Sequence, residues 1–209
     1  MLERFRAFWT GVWKPLGDLL LRLGVSPDAV TLVGTIGVSA GALVFFPQGQ
    51  LLIGVLVVTA FVFSDMIDGY MARTSGQVTT FGSFWDSTLD RVGDAAVFGG
   101  LVLYYAGTHY DGVAPQLFLV LSLYCLVMGS VTSYARAKAE SLGLDAKGGI
   151  AERSDRLVAI LVMTGFNGLL GWEWLTQLTL VVLALATTYT VVFRVLKVRR
   201  QAVARDAAA

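Results

Sequence analysis

Four aspartates carry the most specific chemistry in this sequence. Asp65 and Asp68 stand three positions apart, and Asp86 and Asp90 stand four apart. Both spacings put a pair of carboxylates on one face of a helix. Each pair falls at the end of a strongly apolar stretch. Four carboxylates converging at a membrane surface repel one another unless cations neutralise them. Oxygen ligands with no His or Cys beside them suit a hard cation such as Mg2+ or Mn2+.

The residues between the pairs fit a phosphate-bearing ligand. Gly69 and Ala72 share the helix face of Asp65 and Asp68 and leave room against it. Arg73 closes that face with a guanidinium suited to phosphate. Thr79, Thr80 and Gly82 are expected in a connecting loop, where hydroxyls and bare backbone can reach a pyrophosphate. Simple helix-end salt bridges to Arg73 and Arg91 would explain neither the small residues nor the two acid pairs in successive helices.

The elements that must hold these groups are membrane helices. Of 209 residues, 56% are hydrophobic and 15% charged, and the mean hydropathy is +0.68. A soluble domain carries roughly 25% charge. Sixteen basic residues face 15 acidic ones for a net charge of +1, which gives no basic surplus for nucleic acid. The single cysteine, Cys125, forms no internal disulfide. Six apolar stretches run roughly over 28–46, 51–73, 84–107, 114–138, 155–171 and 175–197. Each is long enough to cross ~30 Å of hydrocarbon as a helix. The expected fold is therefore an all-α integral membrane domain of six transmembrane helices over residues 25–200.

Residues 1–24 differ, with Arg4, Arg6, Lys14 and Arg22 scattered among Phe5, Phe8, Trp9 and Trp13. They read as an amphipathic interfacial helix kinked near Pro15. Ser26 and Pro27 then start the first span. Residues 201–209 read as a frayed tail. Connections 47–50, 108–113 and 171–173 carry no Lys or Arg; all 16 lie at or near the opposite side. By the positive-inside rule that side is cytoplasmic, with both termini and the aspartates. Trp172 and Trp174 mark the far interface.

The segment reads Asp65-x2-Asp68-Gly69-x2-Ala72-Arg73-x8-Gly82-x3-Asp86-x3-Asp90. It resembles the signature of the CDP-alcohol phosphotransferase family, whose six-helix architecture also fits the spans. The resemblance implies a pair of divalent ions, Mg2+ or else Mn2+, held by Asp65, Asp68 and Asp86. It implies Asp90 as general base and further metal contact. It implies a CDP-lipid site made of Gly69, Ala72, Arg73, Thr79, Gly82 and the start of the first span, Asp28, Ala29, Val30 and Thr31. Many family members have Asn where Asp28 stands. The family also implies a homodimer in the cell membrane.

The acceptor is read from a second basic group. Arg136 and Lys138 end the fourth span, Arg153 begins the fifth, and Arg194 lies in the last turns of the sixth. Arg136 and Lys138 could simply mark a cytoplasmic helix end. Arg153 could bind an anion or pair with Glu152, Asp155 or Glu140, and an arginine as deep as Arg194 needs a partner. If the three arginines converge they cage a phosphate. The run SYARAKAESLG…GGIAERSDRL resembles the actinobacterial members of the family that transfer phosphatidyl from CDP-diacylglycerol to inositol 1-phosphate. Glycerol 3-phosphate is the alternative acceptor. A cation transporter is the alternative of another class, and it would want its acids at mid-membrane breaks.

Gly34, Gly37 and Gly41 are expected to permit close helix packing. Cys125 reads as a bundle residue, His109 as solvated, and Phe98–Tyr105 as facing lipid or a partner subunit.

Overall fold

The structure, a computed structural model, describes residues 14–207, and of Asp65 the backbone alone. Residues 1–13, most of the interfacial segment and the chain that would precede a kink at Pro15, lie outside the described residues, and residues 14–22 are helical (α1). Every regular element among the described residues is helical: α2 (Pro27–Ala40), α3 (Leu51–Val62), α4 (Ser64–Ser75), α5 (Thr80–Ala106), α6 (Pro115–Ser141), α7 (Arg153–Leu170) and α8 (Glu173–Asp206). A π-helical turn over Gly41–Phe45 extends α2.

Ser26 caps α2, its Oγ accepting from Ala29 N at 3.2 Å, and Pro27 occupies the first turn. The missing proline N–H costs nothing there. Helices α2 and α5 pack together, α5 packs on α6, α6 on α8, α8 on α7, and α7 on α3. The core runs through Val38, Phe46, Val58, Val97, Leu101, Ile160 and Leu180. Large apolar side chains such as Ile36, Leu56, Val120 and Leu185 point outward, which suits lipid.

Four stretches are long and apolar enough to cross a membrane: Pro27–Phe45, Leu51–Ser75, Pro115–Ser141 and Glu173–Asp206. Helices α5 and α7 fall short because charges sit inside them. Asp86, Asp90, Arg91 and Asp94 occupy the first half of α5, and Arg153, Asp155 and Arg156 open α7.

Other expectations meet corrections. The second span is broken at Phe63, where Met66 N closes a tight turn onto Phe63 O at 3.1 Å. That break lies just before Asp65, so unbroken acidic helices are no argument against transport. Helix α5 begins at Thr80, so Thr80 and Gly82 lie in its first turn and only Thr79 stays outside, as its cap. Helix α8 continues to Asp206 and not to a frayed end near Arg200. Within Phe98–Tyr105 the residues Phe98, Leu101, Tyr104 and Tyr105 are buried in the core and face neither lipid nor a partner, whereas Leu103 is exposed. Tyr104 and Tyr105 meet Tyr110 edge-to-face at 5.5 and 4.9 Å.

The packing expectations for Gly34 and Gly37 hold. A methyl on Gly34 would collide with Ser64, and one on Gly37 with the Phe61 ring. Cys125 is buried, and His109 is exposed.

Candidate active site

Helices α2, α4 and α5 meet at the acidic end of the bundle. Asp68 is 7% exposed. Thr31, one turn into α2, donates its hydroxyl to Asp68 Oδ2 at 2.5 Å. Asp86 and Asp90 lie close enough for their charges to act on Asp68. The ion pairs of the described residues engage Asp90, Asp94, Asp145 and Glu140, and none engages Asp68 or Asp86. Asp68 and Asp86, with no ion-pair partner among the described residues, suit a divalent cation bound through oxygen. Among the described residues no three acidic, His or Cys side chains gather into a complete metal cluster; the Asp65 carboxylate is not among them.

The loop 76–79 sets the neighbouring groups. Thr79 caps α5 by accepting from Gly82 N at 2.9 Å. A Cβ on Gly82 would sit 3.4 Å from Asp28 Oδ1, so bare backbone brings α2 and α5 together here. Trp85 Nε1 donates to Asp28 O at 3.2 Å across the same junction. The Arg73 guanidinium lies back over Gly69, where a Cβ would be 3.3 Å from its Nη1. Asp28, Thr31, Gly69, Arg73, Thr79 and Gly82 thus occupy one end of the bundle.

A cavity of about 830 Å3 opens beside Asp90. Arg136 from α6, Arg153 from α7 and Arg194 from α8 all line it, as do Thr132, Ser133, Glu140 and Glu152. Lys138 does not line it and is exposed. Among the described residues Arg153 pairs with Asp90 Oδ1 at 2.8 Å and Asp94 Oδ1 at 3.0 Å rather than with Glu152, Asp155 or Glu140. Asp155 instead accepts from Glu152 N at 3.2 Å and caps α7. Arg194 finds its partners in backbone carbonyls, Thr132 O at 2.7 Å and Gly148 O at 3.1 Å. Gly148 and Gly149 take φ of 107° and 118°, which side chains rarely adopt, so the loop can turn its carbonyl inward. Arg136 holds Glu140 at 3.0 Å, one turn along the same helix.

Residue-type reasoning missed Asp94 and Arg156. Asp94 continues the four-residue spacing of Asp86 and Asp90, and Arg156 follows Arg153 by three. Those two rhythms on facing helices were the available signal.

The sequence profile of CDP-alcohol phosphatidyltransferases matches residues 24–192. The chain belongs to that family. Among its relatives, the phosphatidylinositol phosphate synthase of Streptomyces avermitilis is 47% identical over 100% of this chain and 86% of that protein. The enzyme of the same name from Cutibacterium acnes is 49% identical over 96% of this chain and 98% of that one. The Mycobacterium tuberculosis phosphatidylinositol phosphate synthase, solved with CDP-DAG bound, aligns with a TM-score of 0.84 at 40% identity, covering 90% of this chain and 93% of that one. Solved with manganese and citrate, it aligns with a TM-score of 0.83 at 39% identity, covering 89% and 88%. Family membership makes the chain a CDP-alcohol phosphotransferase.

Proposed function

We propose that this protein transfers the phosphatidyl group of CDP-diacylglycerol to inositol 1-phosphate, forming phosphatidylinositol phosphate and CMP. One observation carries the acceptor half of this reading: Asp90 and the arginines of three different helices border a single cavity. The similarity to phosphatidylinositol phosphate synthases supports it.

Asp65, Asp68 and Asp86, with Asp90 beside them, are the residues that would hold divalent metal, two ions of Mg2+ or Mn2+. Bound there, the metal supplies charge neutralisation for the pyrophosphate and the departing CMP. Thr31 keeps the Asp68 carboxylate oriented. Arg73, Thr79 and the backbone at Gly69 and Gly82 face the nucleotide, with Ala72 and the Asp28, Ala29 and Val30 turn beside it. Arg136, Arg153 and Arg194 bind the acceptor's phosphate, and Lys138 contributes positive charge from outside the cavity. Asp90 accepts the proton of the acceptor hydroxyl. That oxygen then bonds to the phosphorus carrying the diacylglycerol, and the bond from phosphorus to CMP breaks.

In this reading α5 and α7 also cross the bilayer, giving six spans. Their charges stay at the cytoplasmic end, where the site meets a lipid substrate and a water-soluble one. The N-terminal segment lies in the interface, both termini are cytoplasmic, the membrane is the cell membrane, and the protein is a homodimer.

The deciding experiment offers labelled CDP-diacylglycerol with inositol 1-phosphate, inositol, glycerol 3-phosphate or serine, and measures CMP. Fastest release with inositol 1-phosphate is expected, and EDTA should abolish it. Fastest release with glycerol 3-phosphate would reassign the acceptor.

A further inference from the structure

A ladder of alternating charge runs from the cavity wall into the bundle. Arg153 Nη2 pairs with Asp90 Oδ1 at 2.8 Å, while Arg153 Nε turns the other way to Asp94 Oδ1 at 3.0 Å. Arg156 Nη2 then reaches Asp94 Oδ2 at 3.5 Å. Asp90, Arg153 and Arg156 border the cavity, and Asp94 does not. It sits one turn farther along α5 than Asp90, behind the guanidinium.

Arg156 is itself rigidly held. It is 2% exposed, and its Nη1 donates to Ala151 O at 3.1 Å. Gly129 leaves room for it, since a Cβ there would come within 3.4 Å of its Nε. Arg156 therefore gives Asp94 a fixed counter-charge. Arg91 Nη2 also lies 3.5 Å from Asp90 Oδ2, so the ladder holds two acids and three arginines, and Asp94 can orient Arg153 while a net positive charge remains. A long arginine side chain anchored at one edge loses less freedom when a ligand arrives.

We propose that Asp94 is a positioning residue for the transfer reaction, holding the Arg153 guanidinium at the cavity wall where it meets both Asp90 and the acceptor's phosphate. The proposal rests on the reading of Arg153 as a phosphate ligand.

Asp94→Asn keeps the size of the side chain and removes its charge. The acceptor KM should rise about 10-fold, with the KM for CDP-diacylglycerol within about 2-fold of the original. Asp94→Glu restores the charge on a longer arm and should recover part of the loss. The discriminating measurement is a double-mutant cycle with Arg153→Gln. If Asp94 acts through Arg153, Asp94→Asn adds nothing to the acceptor KM once Arg153 is gone. An unchanged acceptor KM in Asp94→Asn overturns the proposal, and so does an equal increment in both backgrounds. If Asp94→Asn does not fold, the same cycle is run with Asp94→Ser, which also removes the charge, and the same two outcomes overturn the proposal. A wild-type preference for glycerol 3-phosphate overturns only the acceptor assignment, because the cycle is read on whichever phosphorylated acceptor turns over.

Discussion

Thr31 Oγ1 reaches across 37 positions of sequence to donate a 2.5 Å hydrogen bond to Asp68 Oδ2. The first span is thereby a supporting wall for a carboxylate on the second. The resemblance placed Thr31 in contact with the nucleotide. Its hydroxyl proton is engaged with Asp68, and the same oxygen lies 3.1 Å from Pro27 O. Groups that orient a ligating carboxylate typically matter 10–100-fold in metal affinity or activity. Thr31→Val should raise the divalent-ion concentration for half-maximal CMP release by about 10-fold. Thr31→Ser should stay near wild type. A metal titration of CMP release that is the same for all three proteins would remove Thr31 from the supporting role.

Asp90 stands one helical turn beyond Asp86 on α5, and the proposed reaction gives it the role of base. Asp90→Asn should lower turnover by roughly 10²-fold or more, as for a lost general base, with CDP-diacylglycerol binding largely retained. The check is a single-turnover rate beside an equilibrium binding measurement. A variant with full rate and weakened metal affinity would make Asp90 a ligand and put the base elsewhere.

The aspartate motif was readable because its meaning lies in local spacing: three and four residues select one helix face. The span count was readable only where apolarity was continuous, as in Pro115–Ser141 and Glu173–Asp206. In α5, local hydropathy mixes a polar, charged half with an apolar half, so average composition understates the helix. The break at Phe63 has no proline or glycine to announce it. It accompanies close packing of α2 on α4, where Gly34 faces Ser64. The convergence of Arg136, Arg153 and Arg194 was expected from helix ends alone. Their partners were not, because Asp94, Gly148 O and Thr132 O come from other helices and from a loop far away in sequence.

Gly34→Ala tests that packing. The added methyl would overlap both Oγ and Cβ of Ser64, and rotating the hydroxyl relieves only the first. Overpacking of this kind costs about 1–3 kcal/mol. Because Ser64 opens the helix that carries Asp68, the shift should also displace the carboxylate. A lower melting temperature in detergent together with reduced CMP release is expected. A variant equal to wild type in both would mean that the contact between α2 and α4 has room for a methyl group.

The loop after α6 is strapped to the long end of α8. Lys197 Nζ donates to Asp145 Oδ2 at 2.7 Å and to Lys147 O at 2.8 Å, and Gln201 Nε2 donates to Asp145 O at 2.6 Å. The Lys197 hydrogen bond, with the Lys147 backbone N–H, holds the Asp145 carboxyl below its usual pKa. A depressed carboxylate adds stability above its unfolded pKa of about 3.9 and loses it as pH falls through the folded value. Proteolysis of the 142–152 loop should therefore speed up only under acid conditions in the wild type. In Asp145→Asn it should already be fast at neutral pH. Equal cleavage of both proteins at neutral pH would show that the strap does not hold the loop.

The three arginines of the cavity should not respond alike. Arg136 is partly exposed and pairs with Glu140 at the cavity rim, so its loss leaves the bundle intact. Arg194 is 3% exposed and ties α8 to Thr132 O on α6 and to Gly148 O in the loop. Each charge-assisted contact to a phosphate is worth roughly 1.5–3 kcal/mol, or about 10–100-fold in the acceptor KM. Arg136→Gln should raise that KM within this range and leave both the melting temperature and the KM for CDP-diacylglycerol unchanged. Arg194→Gln should raise it too, but with a lower melting temperature, because the buried Thr132 carbonyl and the half-buried Gly148 carbonyl lose the guanidinium donor. Lysine should rescue Arg153 only in part, since an ammonium cannot bridge Asp90 and Asp94 as the planar guanidinium does. A KM series against both substrates, run beside thermal melts, separates these outcomes. Unchanged acceptor KM in Arg136→Gln, Arg153→Gln and Arg194→Gln would leave the cavity without a phosphate-binding role.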